Sequence, residues 1–144
     1  LKLMPSTGLL WPALVTGLAL LMYFAVTINV GRARFKYKVP PPQMTGDPDF
    51  ERVVRVHQNT LEQIVFFLPA LWLFCLYVDP RWGAGLGVVW VVGRIIYAIG
   101  YYQATEKRAP GFAIASLSSL VLLLGAIVAI LRQLILPFLV APPP

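Results

Sequence analysis

The stretch Leu9–Val30, LLWPALVTGLALLMYFAVTINV, carries no charged side chain. As an α-helix rising 1.5 Å per residue, it is long enough to cross the roughly 30 Å hydrocarbon core of a bilayer. A secretory signal core has only about 7–15 apolar residues, so the stretch reads as a retained membrane helix. Three segments of the same kind follow. His57–Val78 is interrupted only by Glu62, Trp82–Thr105 only by Arg94, and Ala109–Leu131 by no charge. The pattern predicts an all-α, integral membrane four-helix bundle. It forms a single transmembrane domain over residues 1–144, with helices at about 8–34, 48–78, 81–107 and 110–136.

Composition agrees. Of 144 residues, 58% are hydrophobic and only 12% are charged, about half the usual charged share of roughly 25%. With a mean hydropathy of +0.74, such a chain cannot cover a soluble domain's surface with polar groups, and it is too apolar to stay disordered. The net charge of +6 is interrupted by apolar sequence, which argues against nucleic acid as a partner. One cysteine, Cys75, and one histidine, His57, exclude an internal disulfide and speak against a protein-built metal site.

The longest polar segment, RARFKYKVPPPQMTGDPDFER at residues 32–52, contains three consecutive prolines and a turn sequence that forbid continuous helix. Asp47 before Pro48 predicts an N-cap with proline at the first helical position. The connections at Asp79–Arg81 and Glu106–Pro110 are short, as between antiparallel helices. The tail from Pro137 to Pro144 is too proline-rich for a fifth span. Four spans place the first and third connections on one side of the membrane. That side gathers Arg32, Arg34, Lys36, Lys38, Arg52, Arg55, Lys107 and Arg108, against Lys2, Arg81 and Arg132 opposite. The positive-inside rule then puts the basic side in the cytoplasm.

Within the spans, polar groups align. At 100° per residue, Arg52, Arg55, Asn59 and Glu62 fall within about 80° on the second helix, and Arg94, Tyr97, Tyr101 and Arg108 within about 60° on the third and its exit. An ionised group facing lipid at a helix centre costs about 2.5–3.5 kcal/mol, so these stripes must face a partner helix or a wet cavity. One reading is that they pair with one another, with Arg94 and Arg52 as structural counter-ions. Yet one intramembrane carboxylate cannot balance four arginines, and the surplus predicts an anionic ligand.

The segments FERVVRVHQNTLEQ and GRIIYAIGYYQATEKRAPGF resemble those of the membrane-associated proteins in eicosanoid and glutathione metabolism, the MAPEG superfamily. The likeness runs from about Ala33 to Leu131 and is greatest to the microsomal glutathione transferases and leukotriene-forming synthases. It implies a homotrimer of four-helix protomers that takes glutathione as co-substrate, without a metal, between subunits near the cytoplasmic face. In the ERxxRxxxNxxE run, Arg55, Asn59 and Glu62 would hold the tripeptide, joined by His57 and by Arg34 at the end of the first helix. Tyr97 and Tyr101 would line the same site. Arg108 would stabilise the thiolate as a catalytic residue, with Tyr97 beside it.

Physical chemistry fits those implied roles. A thiol near pKa 8.5 is mostly protonated at neutral pH, and a guanidinium beside the sulfur favours the nucleophilic anion. A lipophilic electrophile would arrive from the bilayer. The expected function is a membrane-bound glutathione transferase, which could also act as a glutathione-dependent peroxidase, in an endoplasmic reticulum-type or bacterial inner membrane. The alternative is a non-catalytic lipid-binding or scaffold protein of the same fold, or a small subunit of a larger membrane complex. Three positions depart from the resemblance: Phe35 replaces an arginine of the leukotriene-forming branch, Gln63 an aromatic residue, and His57 a common glutamine.

Overall fold

A computed structural model describes residues 7–140, with the side chains of Thr7 and Phe138–Val140 left aside. Lys2 and the closing prolines therefore lie outside the described residues. A short 3-10 turn, Thr7–Leu9, leads into four helices: α1 (Leu10–Tyr37), α2 (Pro48–Tyr77), α3 (Pro80–Gln103) and α4 (Ala109–Val140). Each is long and apolar enough to cross a membrane, and no strand occurs among the described residues. The protein is an integral membrane four-helix bundle.

The helix ends have local causes. Asp47 caps α2 by accepting from the Asp49 N–H, with Pro48 at the first position. Asp79 repeats the device for α3, accepting from the N–H groups of Arg81 and Trp82 ahead of Pro80. In both cases a side-chain oxygen satisfies N–H groups that have no intrahelical acceptor. Helix α1 runs past the expected residue 34 to Tyr37, where Lys38 turns left-handed (φ 55°) and its N–H returns to the Arg34 carbonyl. Helix α3 stops at Gln103 rather than continuing to 107. Ala104 is extended there, and a separate 3-10 turn, Thr105–Arg108, follows. Helix α4 passes through Pro137 and ends at Val140, four residues beyond the expected end, because one missing donor near a terminus is readily tolerated in a membrane helix.

Helices α2 and α3 pack against each other and each packs against α1 and α4, so the α2–α3 pair is the centre of the bundle. Lipid tails are as apolar as leucine, so burial from water drives little helix association and close packing has to supply it. Trp90 of α3 stacks on Phe67 of α2, with centroids 4.0 Å apart and planes 2° from parallel. Val15, Leu71 and Leu122 fill the space around them. The outward surface carries Leu21, Phe24, Val65, Leu117 and Val128, all exposed, as a lipid-facing surface requires.

Candidate functional site

On the central pair, polar side chains form one connected chain of hydrogen bonds. The Arg94 guanidinium, 1% exposed, donates through Nη1 to Asn59 Oδ1 at 3.0 Å and through Nη2 to Thr60 Oγ1 at 2.7 Å. The Thr60 hydroxyl in turn donates to the Val56 carbonyl at 2.7 Å. Asn59 Nδ2 donates to Glu62 Oε2 at 3.2 Å, and Arg55 Nη1 donates to Glu62 Oε1 at 3.1 Å. Arg94 therefore meets Glu62 only through Asn59. Its Nε has no protein acceptor among the described residues, and its guanidinium carbon lies 4.0 Å from the centroid of the Tyr97 ring.

Beside this network lies a cleft of about 460 Å³, lined by Arg55, Asn59, Tyr97, Tyr101, Arg108 and Phe112, with Ala109 at the start of α4. The sequence stripe extended α3 through Arg108, and the structure reaches that arginine differently. The extended Ala104 ends the helix, and the following turn folds back over it. Gly100 permits this, since a methyl group there would strike the Lys107 main chain. Arg108 then lies 5.3 Å over the Tyr101 ring. Tyr97 and Tyr101 are tilted neighbours with centroids 5.6 Å apart, and Phe112 packs 6.2 Å from Tyr97. A second cavity of about 450 Å³ shares Arg55 and Tyr101 and adds Arg52, Glu51, Gln58 and Thr105.

Three of the expected residues lie elsewhere. Arg52 pairs with Asp49 one turn earlier on α2. His57 Nε2 lies 3.0 Å from the Tyr23 hydroxyl, with the two rings stacked at 5.2 Å, so it faces α1 and does not line the cleft. Arg34 binds the first connection, donating to the carbonyls of Val39 at 3.3 Å and Gln43 at 2.7 Å. It borders a separate apolar cavity of about 620 Å³ with Phe35, Lys38 and Val39. Within one chain, Arg34 and the cleft are apart. Arg55 and Glu62, expected to be hidden, keep 48% and 55% of their side chains exposed. Thr60 and Phe112 belong to the site although the sequence reading passed over them. Among the described residues no His, Cys, Asp or Glu cluster is arranged for a metal ion.

Fold and site together define an α-helical integral membrane protein whose central helix pair presents arginine, amide and phenol groups to a cleft at one end of the bundle. The chain belongs to the MAPEG family, whose model matches residues 12–128. It is 62% identical over 131 residues to an uncharacterized protein of Synechocystis, covering 91% of this chain and 96% of that one. It is 43% identical over 106 residues to human microsomal glutathione S-transferase 2, covering 73% and 71% of the two chains. Leukotriene C4 synthase of Cavia porcellus is 36% identical over 116 residues, covering 80% and 77%.

Proposed function

We propose that the protein is a membrane-bound glutathione transferase that joins the glutathione thiolate to lipophilic electrophiles. The observation that carries this reading is the chemistry of the cleft. Glutathione offers two carboxylates, one ammonium group and a thiol. The cleft offers the guanidiniums of Arg55 and Arg108 and the amide of Asn59, and the Glu62 carboxylate accepts from the side chains of two of these lining residues, Arg55 and Asn59. Charge-assisted hydrogen bonds to each ionised end of the tripeptide are the strongest such a site can make. Arg108, with Tyr97 and Tyr101 nearby, is the cation available to the sulfur. The attacking sulfur forms the new carbon–sulfur bond, the leaving group departs with the electron pair, and the thiol proton passes to solvent.

The same reading has the chain act as a homotrimer with this end of the bundle in the cytoplasm. Arg55 and Glu62 are half exposed in a membrane-spanning helix of a single chain, where contact with lipid is costly. A neighbouring subunit would cover them, and could bring its own Arg34 to the cleft that this chain's Arg34 does not line. Basic residues on both connections at this end agree with the orientation.

Purified protein in lipid nanodiscs, titrated calorimetrically with glutathione and then assayed with a chloronitrobenzene electrophile, tests the proposal. Saturable binding and chloride release that needs glutathione are expected. Binding without turnover would favour the lipid-binding or scaffold alternative, and no binding at millimolar glutathione would remove the proposal altogether.

A further inference from the structure

Arg94 does not line the cleft, yet its hydrogen bonds determine what the cleft presents. An asparagine amide offers an oxygen that accepts and a nitrogen that donates, and either can face a given neighbour. A guanidinium has only donors. With Arg94 Nη1 at 3.0 Å, the Asn59 oxygen is held toward α3, and the amide nitrogen is therefore turned to Glu62 Oε2 at 3.2 Å. That leaves the second N–H of Asn59, a residue that lines the cleft, for a ligand. Thr60 is polarised in the same way. Its hydroxyl proton is given to the Val56 carbonyl, so only a lone pair remains for Arg94 Nη2. The guanidinium is thus held at two points on adjacent residues of α2, and the Tyr97 ring covers its face at 4.0 Å.

We infer that Arg94 is a positioning residue for the glutathione site: from behind the cleft it fixes the polarity of the Asn59 amide and, through that amide, the placement of the Glu62 carboxylate. This inference rests on the proposed glutathione reading for its effect on catalysis, and on the hydrogen-bond chain alone for its effect on Glu62. A fork is needed because two acceptors on consecutive residues must be bound at once, which the single ammonium of lysine does less well. Arg94 does not touch the position assigned to the sulfur, so its loss should weaken the hold on the tripeptide and leave the chemical step near its normal rate.

Arg94→Met and Arg94→Lys, assayed in nanodiscs, provide the test. In Arg94→Met the KM for glutathione should rise about tenfold, on the scale of one charge-assisted hydrogen bond, with kcat at saturating glutathione within about twofold of the wild type. Arg94→Lys should be intermediate. A purely architectural arginine would lower the amount of active protein, and so kcat, with KM unchanged; that result overturns the inference. Should Arg94→Met fail to fold, Thr60→Val removes one arm of the clamp and should raise KM by about threefold, and no change in KM there counts equally against it. If the wild type binds no glutathione, the proposed function falls, and ligand-free melting then decides this inference separately. Arg94→Lys combined with Glu62→Gln should shift the melting temperature non-additively although the two side chains do not touch. Strict additivity would overturn it.

Discussion

The main chain of Gly111, at the start of α4, lies so close to the main chain of Tyr97 on α3 that a methyl group built on Gly111 would collide with it. The tyrosine facing the cleft and the first turn of α4, which follows directly on Arg108, are therefore joined by a backbone contact that admits no side chain. Gly111→Ala should push α4 away from α3, at a cost near the top of the roughly 1–3 kcal/mol typical of overpacking, because backbone cannot rotate out of the way. Activity should fall along with the melting temperature. Gly85→Ala is the contrasting case, since nothing lies within 4 Å of a methyl group there. It should be neutral, or stabilising by up to about 1 kcal/mol through helix propensity. Thermal melting of both variants in one detergent checks the pair.

Arg55 and Glu62 separate binding from chemistry. Both help form the network beside the cleft, and neither carries the role given to Arg108. Arg55→Ala should raise KM for glutathione by about tenfold or more, with kcat changed much less, because a contact made equally in ground and transition states affects mainly binding. Glu62→Gln should do the same more weakly, since a neutral amide still accepts from Arg55 but no longer attracts an ammonium group. Initial rates over a glutathione series, with the electrophile held constant, would reveal this. A fall in kcat alone for Arg55→Ala would contradict the assignment.

Much of this arrangement was legible beforehand. The four spans follow from apolar runs, and Arg55, Asn59 and Glu62 share a face because their spacing of four and three matches the helical period. His57 was open to the same test. It stands two residues from both Arg55 and Asn59, about 200° around the helix, which turns it toward α1 and Tyr23. The place of Arg108 could not be read by continuing the period of α3, because the helix ends at an extended Ala104. Its return over Tyr101 depends on the close approach at Gly100. Thr60 stayed hidden for another reason. A threonine in a membrane helix ordinarily bonds its own helix's carbonyl, as Thr60 does, and the use of its remaining lone pair depends on how α3 is rotated against α2.

Assembly gives the third prediction. On the proposed reading, half-exposed Arg55 and Glu62, and an Arg34 committed to its own connection, call for a neighbouring subunit to complete the site. Native mass spectrometry from nanodiscs or mild detergent should show a trimer. Monomers that retain full glutathione binding would show that one chain suffices and that these exposed charges face water. Orientation is checked on the same material by single-cysteine labelling: reporters replacing Met44 and Lys107 should react from the same side.

Arg108 supplies the sharpest test of mechanism because its expected effect has a sign in pH. A free thiol near pKa 8.5 is about 3% ionised at pH 7. A guanidinium beside the bound sulfur lowers that pKa, typically by about 1–3 units, so the wild-type site should hold a large thiolate fraction at neutral pH. Arg108→Ala removes the stabilising cation and returns the bound thiol toward its free value. At pH 7 its rate should fall about tenfold or more, and the loss should shrink as pH rises through 8.5, where hydroxide ionises the thiol unaided. The wild-type profile should already have flattened below that range. Arg108→Lys should lie between them, keeping the charge without the planar fork. Ultraviolet absorbance of the thiolate on adding glutathione at pH 7 measures the same quantity without an electrophile. Equal absorbance in wild type and Arg108→Ala would mean that this arginine, exposed on its turn and stacked on Tyr101, holds the fold or the membrane surface and not the sulfur.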